Sequence, residues 1–526
     1  MRPAARSLLA IPPFPGARAP VFARHGEVDE IAGRAGGGEE TADLLAALAA
    51  HRVGGCYWGR QPVMPQGRVL LDGTAQPAMV SMAWPADADP WHLLERAGTV
   101  RLPAGDARIL LALAAGRPVA VAGDEAAPDA EMVAALVAAH LTGWQWHDPF
   151  SGARISVREA IALCGFWRRL IDGNRPIVAA MGFAHWKRTT VAPLLWPGHA
   201  LPFPARLPRL VSGEQVAIWR TRLSAAQARD IERQGPPVLE VEDGFIRSTG
   251  LGADCVPPLS IIVDGVGVHF DPMRPSGLEA LLQHGEVPPA LRARAASLRA
   301  AIVAGGLSKY ERAGAAALPR PGGARRHVLV PGQVEDDRAV TSGGALPSNL
   351  ELLKRARAEV GPEAYLIYKP HPDVLAGHRR GLVASADMAA LADRVETTAP
   401  MAALIDMVDE VQVNSSLAGF EALLRGKPVT VHGVPFYAGW GLTRDLGPVP
   451  ARRTARRSLD ELVAAALLLY PRYLDPQTGL PCPAEVLVAR LAGPGAPRPE
   501  GAGALVVAAR RLQGRVRAGI ARLQVR

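Results

Sequence analysis

Cysteine is scarce in this 526-residue chain: Cys56, Cys164, Cys255 and Cys482 stand far apart, and none forms a CxxC pair. That spacing argues against a disulfide framework or a structural zinc site and fits a reducing compartment. Long apolar runs are missing too. A membrane-spanning helix needs roughly 18 consecutive apolar residues, and the longest candidate, LVAAALLLY at 462–470, is half that length. The first residues carry arginines, but their apolar run is short and broken by Pro12 and Pro13, so a secretory signal is not expected. The expected location is the cytoplasm. The glycines of VEDGFIRSTGLG (241–252) do not match GxGxxG, which removes a dinucleotide fingerprint there.

What is present is ordinary globular material. Hydrophobic residues make up 48% and charged residues 21%, enough for two to four domains with their own cores. The net charge of +9 comes almost entirely from arginine in a chain rich in Ala, Gly and Pro. Without aromatic–basic interleaving across a sheet face, no nucleic-acid partner is expected. Residues 1–40 are Pro-, Gly- and Arg-rich and read as a flexible leader. Beyond them RVLLDG (68–73) and PVAVAG (118–123) read as strands among Ala/Leu-rich helical stretches.

The pattern sharpens after GFAHWKR (182–188). VLEVEDGF (238–245) and LSIIVDGVGVHF (259–270) read as strands, the second folding over as a hairpin at Asp264-Gly265. Four β-branched runs follow: HVLVPG (327–332), AYLIYKP (364–370), EVQVNSS (410–416) and PVTVHG (428–433), with helical segments at 347–359, 382–393 and 417–425. Alternation on this scale predicts a parallel, doubly wound α/β sheet. Ligands of such sheets lie beyond the carboxyl ends of the strands. Here those ends carry the polar clusters.

Each cluster has a functional and a plain structural reading. In KPHPDV (369–374), Lys369 and His371 are placed to bind a phosphate; the alternative is a rigid proline turn. In NSSLAGFE (414–421), Ser415 or Ser416 caps a helix whose start favours an anion, and Glu421 could reach a ribose; the alternative is an ordinary cap. QVEDD (333–337) offers carboxylates for base or nucleophilic work, against a solvated turn. No further ligands point to a metal. Glu242, Asp243 and Arg247 form either a site or an internal salt bridge. PFYAGWG (435–441) is either a sugar-stacking loop or a packed turn.

GFAHWKR, VEDGFIRSTGLG, PPLSIIVDGVGVHFD, PSGLE, LSKY, VLVPGQVEDD, KPHPDV, SLAGFEALLRGKPV, PFYAGWGLT and YPRYLDP occur in this order. Together they resemble the capsule polysaccharide biosynthesis family, specifically its KpsC-type retaining β-Kdo transferases. The resemblance covers about residues 180–480 and implies a GT-B-like fold of two Rossmann-like domains. It also implies transfer of Kdo from CMP-β-Kdo to a lipid-linked Kdo acceptor, with no cofactor, at the inner-membrane surface and among other capsule assembly proteins. Such proteins carry two modules in series. Residues 41–170 resemble a shortened, degenerate first module: LLALAAGRPVAVAGD is similar to EALLRGKPVTVHGV, and DPFSG (148–152) to DPQTG (475–479). An acceptor half at 171–325, a CMP-sugar half at 326–490 and a basic tail at 491–526 complete the expected division. By resemblance, Asp337 is the nucleophile. Gln333, Lys369, His371, Ser415, Ser416 and Glu421 hold the donor, while Glu242, Asp243, Arg247 and Asp271 lie on the acceptor side. Trp219-Arg220 and His269-Phe270-Asp271 depart from the family strings Trp-Gly and YYD, both on the acceptor side. The tail, with Arg510, Arg511, Arg515, Arg517, Arg522 and Arg526 among apolar residues, reads as a membrane-surface helix or a disordered basic end. A different sugar or acceptor, or a non-catalytic assembly subunit, are the alternative functions.

Overall fold

Prolines keep the first described residues extended, which lets their large apolar side chains lie flat on the core without helix. The structure is a computed structural model describing residues 7–18, 20–25, 38–74, 81–247, 256–308, 318–377 and 379–493. Leu8, Leu9, Phe14 and Phe22 are buried, and Phe14 meets Trp167 and Trp196 edge-on. The flexible leader expected at 1–40 is therefore corrected for 7–18 and 20–25. Fully burying each such side chain stabilises by about 1.5–3 kcal/mol, which outweighs the looseness suggested by composition.

Strand β1 (Ala23–His25) belongs to this segment. Strands β2 (Val69–Asp72), β3 (Met82–Ala83), β4 (Ala97–Pro103) and β5 (Val119–Ala122) form an all-parallel sheet in the order β3-β2-β4-β5. β6 (Trp144–His147) pairs antiparallel with β1 and with β7 (Arg154–Ile155). The long helix Val157–Asn174, started by a Ser156/Glu159 capping box, leads into the next unit.

There β8 (Ile177–Met181), β9 (Gln215–Ile218) and β10 (Val238–Asp243) run parallel, and β11 (Ser260–Asp264) lies antiparallel to β10. No return strand follows Asp264, so the hairpin expectation was wrong. The Asp264 carboxylate accepts from the N–H groups of Val266, Gly267 and Gly277 and from the Tyr470 hydroxyl. Those bonds turn the chain toward the helix Gly277–His284 instead.

The second sheet contains β12 (His327–Pro331), β13 (Tyr365–Lys369), β14 (Arg394–Val395), β15 (Glu410–Val413), β16 (Val429–Val431) and β17 (Arg444–Asp445). Every pairing is parallel, in the order β14-β13-β12-β15-β16-β17. The chain then crosses back. The helix Leu459–Val463 continues as a π-helix over Ala464–Leu469 and packs on the helix Pro289–Ala304. β18 (Pro471–Leu474) and β19 (Pro481–Cys482) extend the first sheet to β19-β18-β11-β10-β9-β8. An unbroken second half at 326–490 is thus corrected: its last part completes the first half, because β18 pairs with the edge offered by β11.

The N-terminal region repeats the second half in outline. Its order β3-β2-β4-β5 matches β13-β12-β15-β16. Ala130–Val137 runs into a π-helix at Ala138–Thr142 before β6, as the corresponding helix does before β18. Asp148 and Asp475 cap equivalent turns, each receiving a backbone N–H and a hydroxyl on its carboxylate. In the repeat, described side chains at the carboxyl end of the sheet bind one another. Asp72 binds Thr74 and Arg101, Arg101 reaches Glu125, and Arg108 donates to Gly73 O while lying over Trp84.

Candidate functional site

Between the two larger sheets lies a cleft of about 330 Å³. Its floor comes from the carboxyl ends of β12, β13 and β15, its opposite wall from β10 and the chain after β11.

Asp337 lines this cleft as the N-cap of the short helix Arg338–Gly343, its Oδ1 accepting from Ala339 N–H at 2.9 Å. The bond fixes the carboxylate rotamer at an exposed position. Gln333 and Ser415 also line the cleft but are bound to each other: Ser415 N–H donates to Gln333 Oε1 at 2.9 Å, and Gln333 Nε2 donates to Ser415 Oγ at 3.2 Å. The Ser415 hydroxyl donates in turn to Ala339 O. These two residues tie the strand ends together under the Asp337 turn. Ser416 caps the helix Leu417–Leu424, so the start of that helix faces the cleft. Gly419 is required there, since a Cβ would overlap the Tyr437 hydroxyl, which donates to Ser416 O.

His371 caps Pro372–Leu375, with Nδ1 accepting from Asp373 N–H at 3.2 Å. In the neutral ring this assigns the proton to Nε2, a donor suited to an anion. On the facing wall Glu242 is pushed up to about 7, chiefly by burial, with Arg338 opposing and Asp243 and Glu240 adding to the rise. Asp243 binds Lys187 at 3.2 Å and Arg247 at 2.9 Å. Lys187 lies 3.3 Å from the Trp219 ring centroid, and burial brings it down to about 8.

Four expected site residues fall outside the cleft lining. Lys369 is buried and donates to Ala399 O at 2.7 Å, because its strand position turns it beneath the sheet. Glu421 borders a neighbouring cavity of about 20 Å³ that shares Phe245 and Leu417 with the cleft. Arg247 is 1% exposed and holds Asp243 and Val256 O, so its salt bridge is structural. Asp271 accepts from Met273 N–H within a turn. PFYAGWG is a packed turn: Tyr437 and Trp440 are fully buried, and only Pro435 and Phe436 reach the cleft. Sequence reasoning missed Phe245 and Phe270, which form an apolar wall with Phe436, the lining cation Arg379, and Arg338, which bonds to Glu242 of the wall. Arg338 adjoins the QVEDD string, which was the available signal; Arg379, paired with Asp336, had none. Among the described residues no group of three or more His, Cys, Asp or Glu could hold a metal ion.

The profile described as "Capsule polysaccharide biosynthesis protein" matches residues 214–473. Capsule polysaccharide modification protein LipA of Neisseria meningitidis serogroup A is 37% identical over 350 residues, covering 65% of this chain and 49% of LipA. The chain thus spans about half the length of that relative. Lipopolysaccharide-processing protein LpsZ of Rhizobium meliloti is 41% identical over 332 residues, 60% of this chain and 74% of LpsZ. Among solved structures, Thermosulfurimonas dismutans KpsC, titled a beta Kdo 2,4 transferase, matches with 32% identity and a TM-score of 0.51, covering 60% of this chain and 98% of that one. The facing α/β sheets with a cleft at the strand ends are a GT-B arrangement, and in sequence and fold the chain belongs to the capsule polysaccharide biosynthesis family.

Proposed function

We propose that the chain is a retaining glycosyltransferase that uses CMP-β-Kdo to extend a β-Kdo linker on a lipid acceptor at the inner-membrane surface. The observation carrying this reading is the cleft itself, where the rotamer-fixed Asp337 shares one cavity with His371, the helix start at Ser416 and the buried Glu242. The Asp337 carboxylate attacks the anomeric carbon of Kdo. The bond from that carbon to the phosphate oxygen breaks, and CMP leaves with the electron pair. His371 Nε2–H and the helix start at Ser416 stabilise the departing phosphate. An acceptor hydroxyl then attacks the same carbon, its proton passes to Glu242, and the bond to Asp337 breaks. Two inversions give net retention. A value of about 7 leaves Glu242 partly ionised near neutral pH, as a base for this step requires.

The ion pairs among Asp72, Arg101 and Glu125 at the strand ends of the N-terminal repeat support a single catalytic cleft, and hence one linkage, with the repeat acting as a brace. The likeness to a beta Kdo transferase supports the choice of sugar. Incubation with a CMP-Kdo generating system and a synthetic Kdo-terminated acceptor, followed by mass and linkage analysis, tests the reading. One β-linked Kdo per acceptor is expected; an α-linked product, a second kind of linkage, or no transfer overturns it.

A further inference from the structure

Arg338 follows Asp337 directly and opens the helix that Asp337 caps, yet its guanidinium belongs to the opposite wall. Nη1 donates to Glu240 Oε1 at 2.6 Å and to Glu242 Oε1 at 2.9 Å, and Cζ lies 5.0 Å from the Phe270 ring centroid. All three partners sit on β10 or on the chain after β11, across the cleft from β12. Glu240 and Glu242 share one face of β10, two positions apart, with side chains only 9% and 16% exposed. Two carboxylates so close and so dry need a cation between them. Glu240 has a second partner, Arg220, at 2.9 Å. Among the described residues, Arg338 is the cation bonded to Glu242; Lys187 acts on it through space, alongside Asp243.

We propose that Arg338 is a positioning residue that makes assembly of the cleft's two working carboxylates conditional on the halves being closed. Any motion that widens the cleft pulls Arg338 away from Glu242 and moves the Asp337 turn with it. Closed, the same residue anchors the nucleophile's helix and favours the ionised form of the base. Open, Glu242 loses its bonded cation beside Glu240 and Asp243 and takes up a proton, so the base is disabled while the cleft is open. This inference rests on the roles proposed for Asp337 and Glu242.

The test compares Arg338→Gln and Arg338→Lys in the full chain, with calorimetric CMP binding and the pH profile of kcat as readouts. For Arg338→Gln, turnover falls on the order of 100-fold, while CMP affinity changes by less than about threefold because the donor residues lie elsewhere. Loss of the positive charge moves the acid limb of the profile upward by about one pH unit. Arg338→Lys restores the limb toward wild type and recovers part of kcat. Wild-type turnover in Arg338→Gln, or equal losses in both variants with an unmoved limb, overturns the inference. Full activity in Glu242→Gln would instead overturn the base assignment; an inactive Glu242→Gln beside an unaffected Arg338→Gln would overturn only the role given to Arg338.

Discussion

Replacing Glu242 with Gln should stabilise the folded protein at alkaline pH while removing its activity. Burial, opposed by Arg338 and reinforced by Asp243 and Glu240, moves this carboxyl from 4.5 to about 7. A group whose proton is held more tightly in the folded state destabilises that state wherever it must ionise. The cost is absent below about 4.5, grows between 4.5 and 7, and is complete above 7. At about 1.4 kcal/mol per decade the full cost is about 3 kcal/mol, an upper figure because the wall can relax. Glutamine mimics the protonated acid, so its advantage should approach that figure at pH 8 and fall below about 1 kcal/mol at pH 5. Denaturant unfolding of both proteins at the two pH values reads the difference directly. An advantage independent of pH, or a less stable variant at pH 8, would refute the reasoning.

His371→Ala should weaken CMP binding by about 1.5–3 kcal/mol, roughly 10- to 150-fold, by losing a charge-assisted bond. His371→Asn, which can still cap Asp373 N–H, should lose as much in calorimetry if Nε2 is the contact; unchanged affinity would move the donor site. Asp89 is fully buried and joins Arg168, Arg175, Gln61 and Trp91 N–H at the junction of the repeat with the larger unit. Asp89→Asn should therefore destabilise by about 3 kcal/mol, measured as a lowered unfolding midpoint, the low end of the range because Asp172 still neutralises both arginines. Truncation at 500 removes a tail that lies outside the described residues. It should reduce binding to anionic vesicles in a salt-sensitive way without altering activity on a short soluble acceptor.

The second sheet was legible because β12, β13, β15 and β16 are buried on both faces and write themselves as β-branched runs. That Asp337, His371 and Ser416 would line one cleft was legible because each follows a strand at the carboxyl edge of a parallel sheet, although each also serves as a helix cap. Lys369 was misread because strand alternation hides which side a residue faces once both sides are buried. The return of β18 to the first sheet was hidden too, since pairing with a distant edge leaves no local pattern. Within 1–40, Pro and Gly composition suggested a loose segment, while Leu8, Leu9, Phe14 and Phe22 carried the opposite message. Arg338 looked like one more charge after QVEDD because its partners lie about a hundred residues away.

The most direct test of the central claim is intact-protein mass spectrometry of the chain quenched during turnover of CMP-β-Kdo without acceptor. A mass increase of one Kdo residue, mapped by proteolysis to the peptide containing Asp337 and absent in Asp337→Ala, is the predicted result. Turnover to a β-linked product with no adduct at Asp337, or with Asp337→Ala retaining more than about a few percent of wild-type rate, would contradict it.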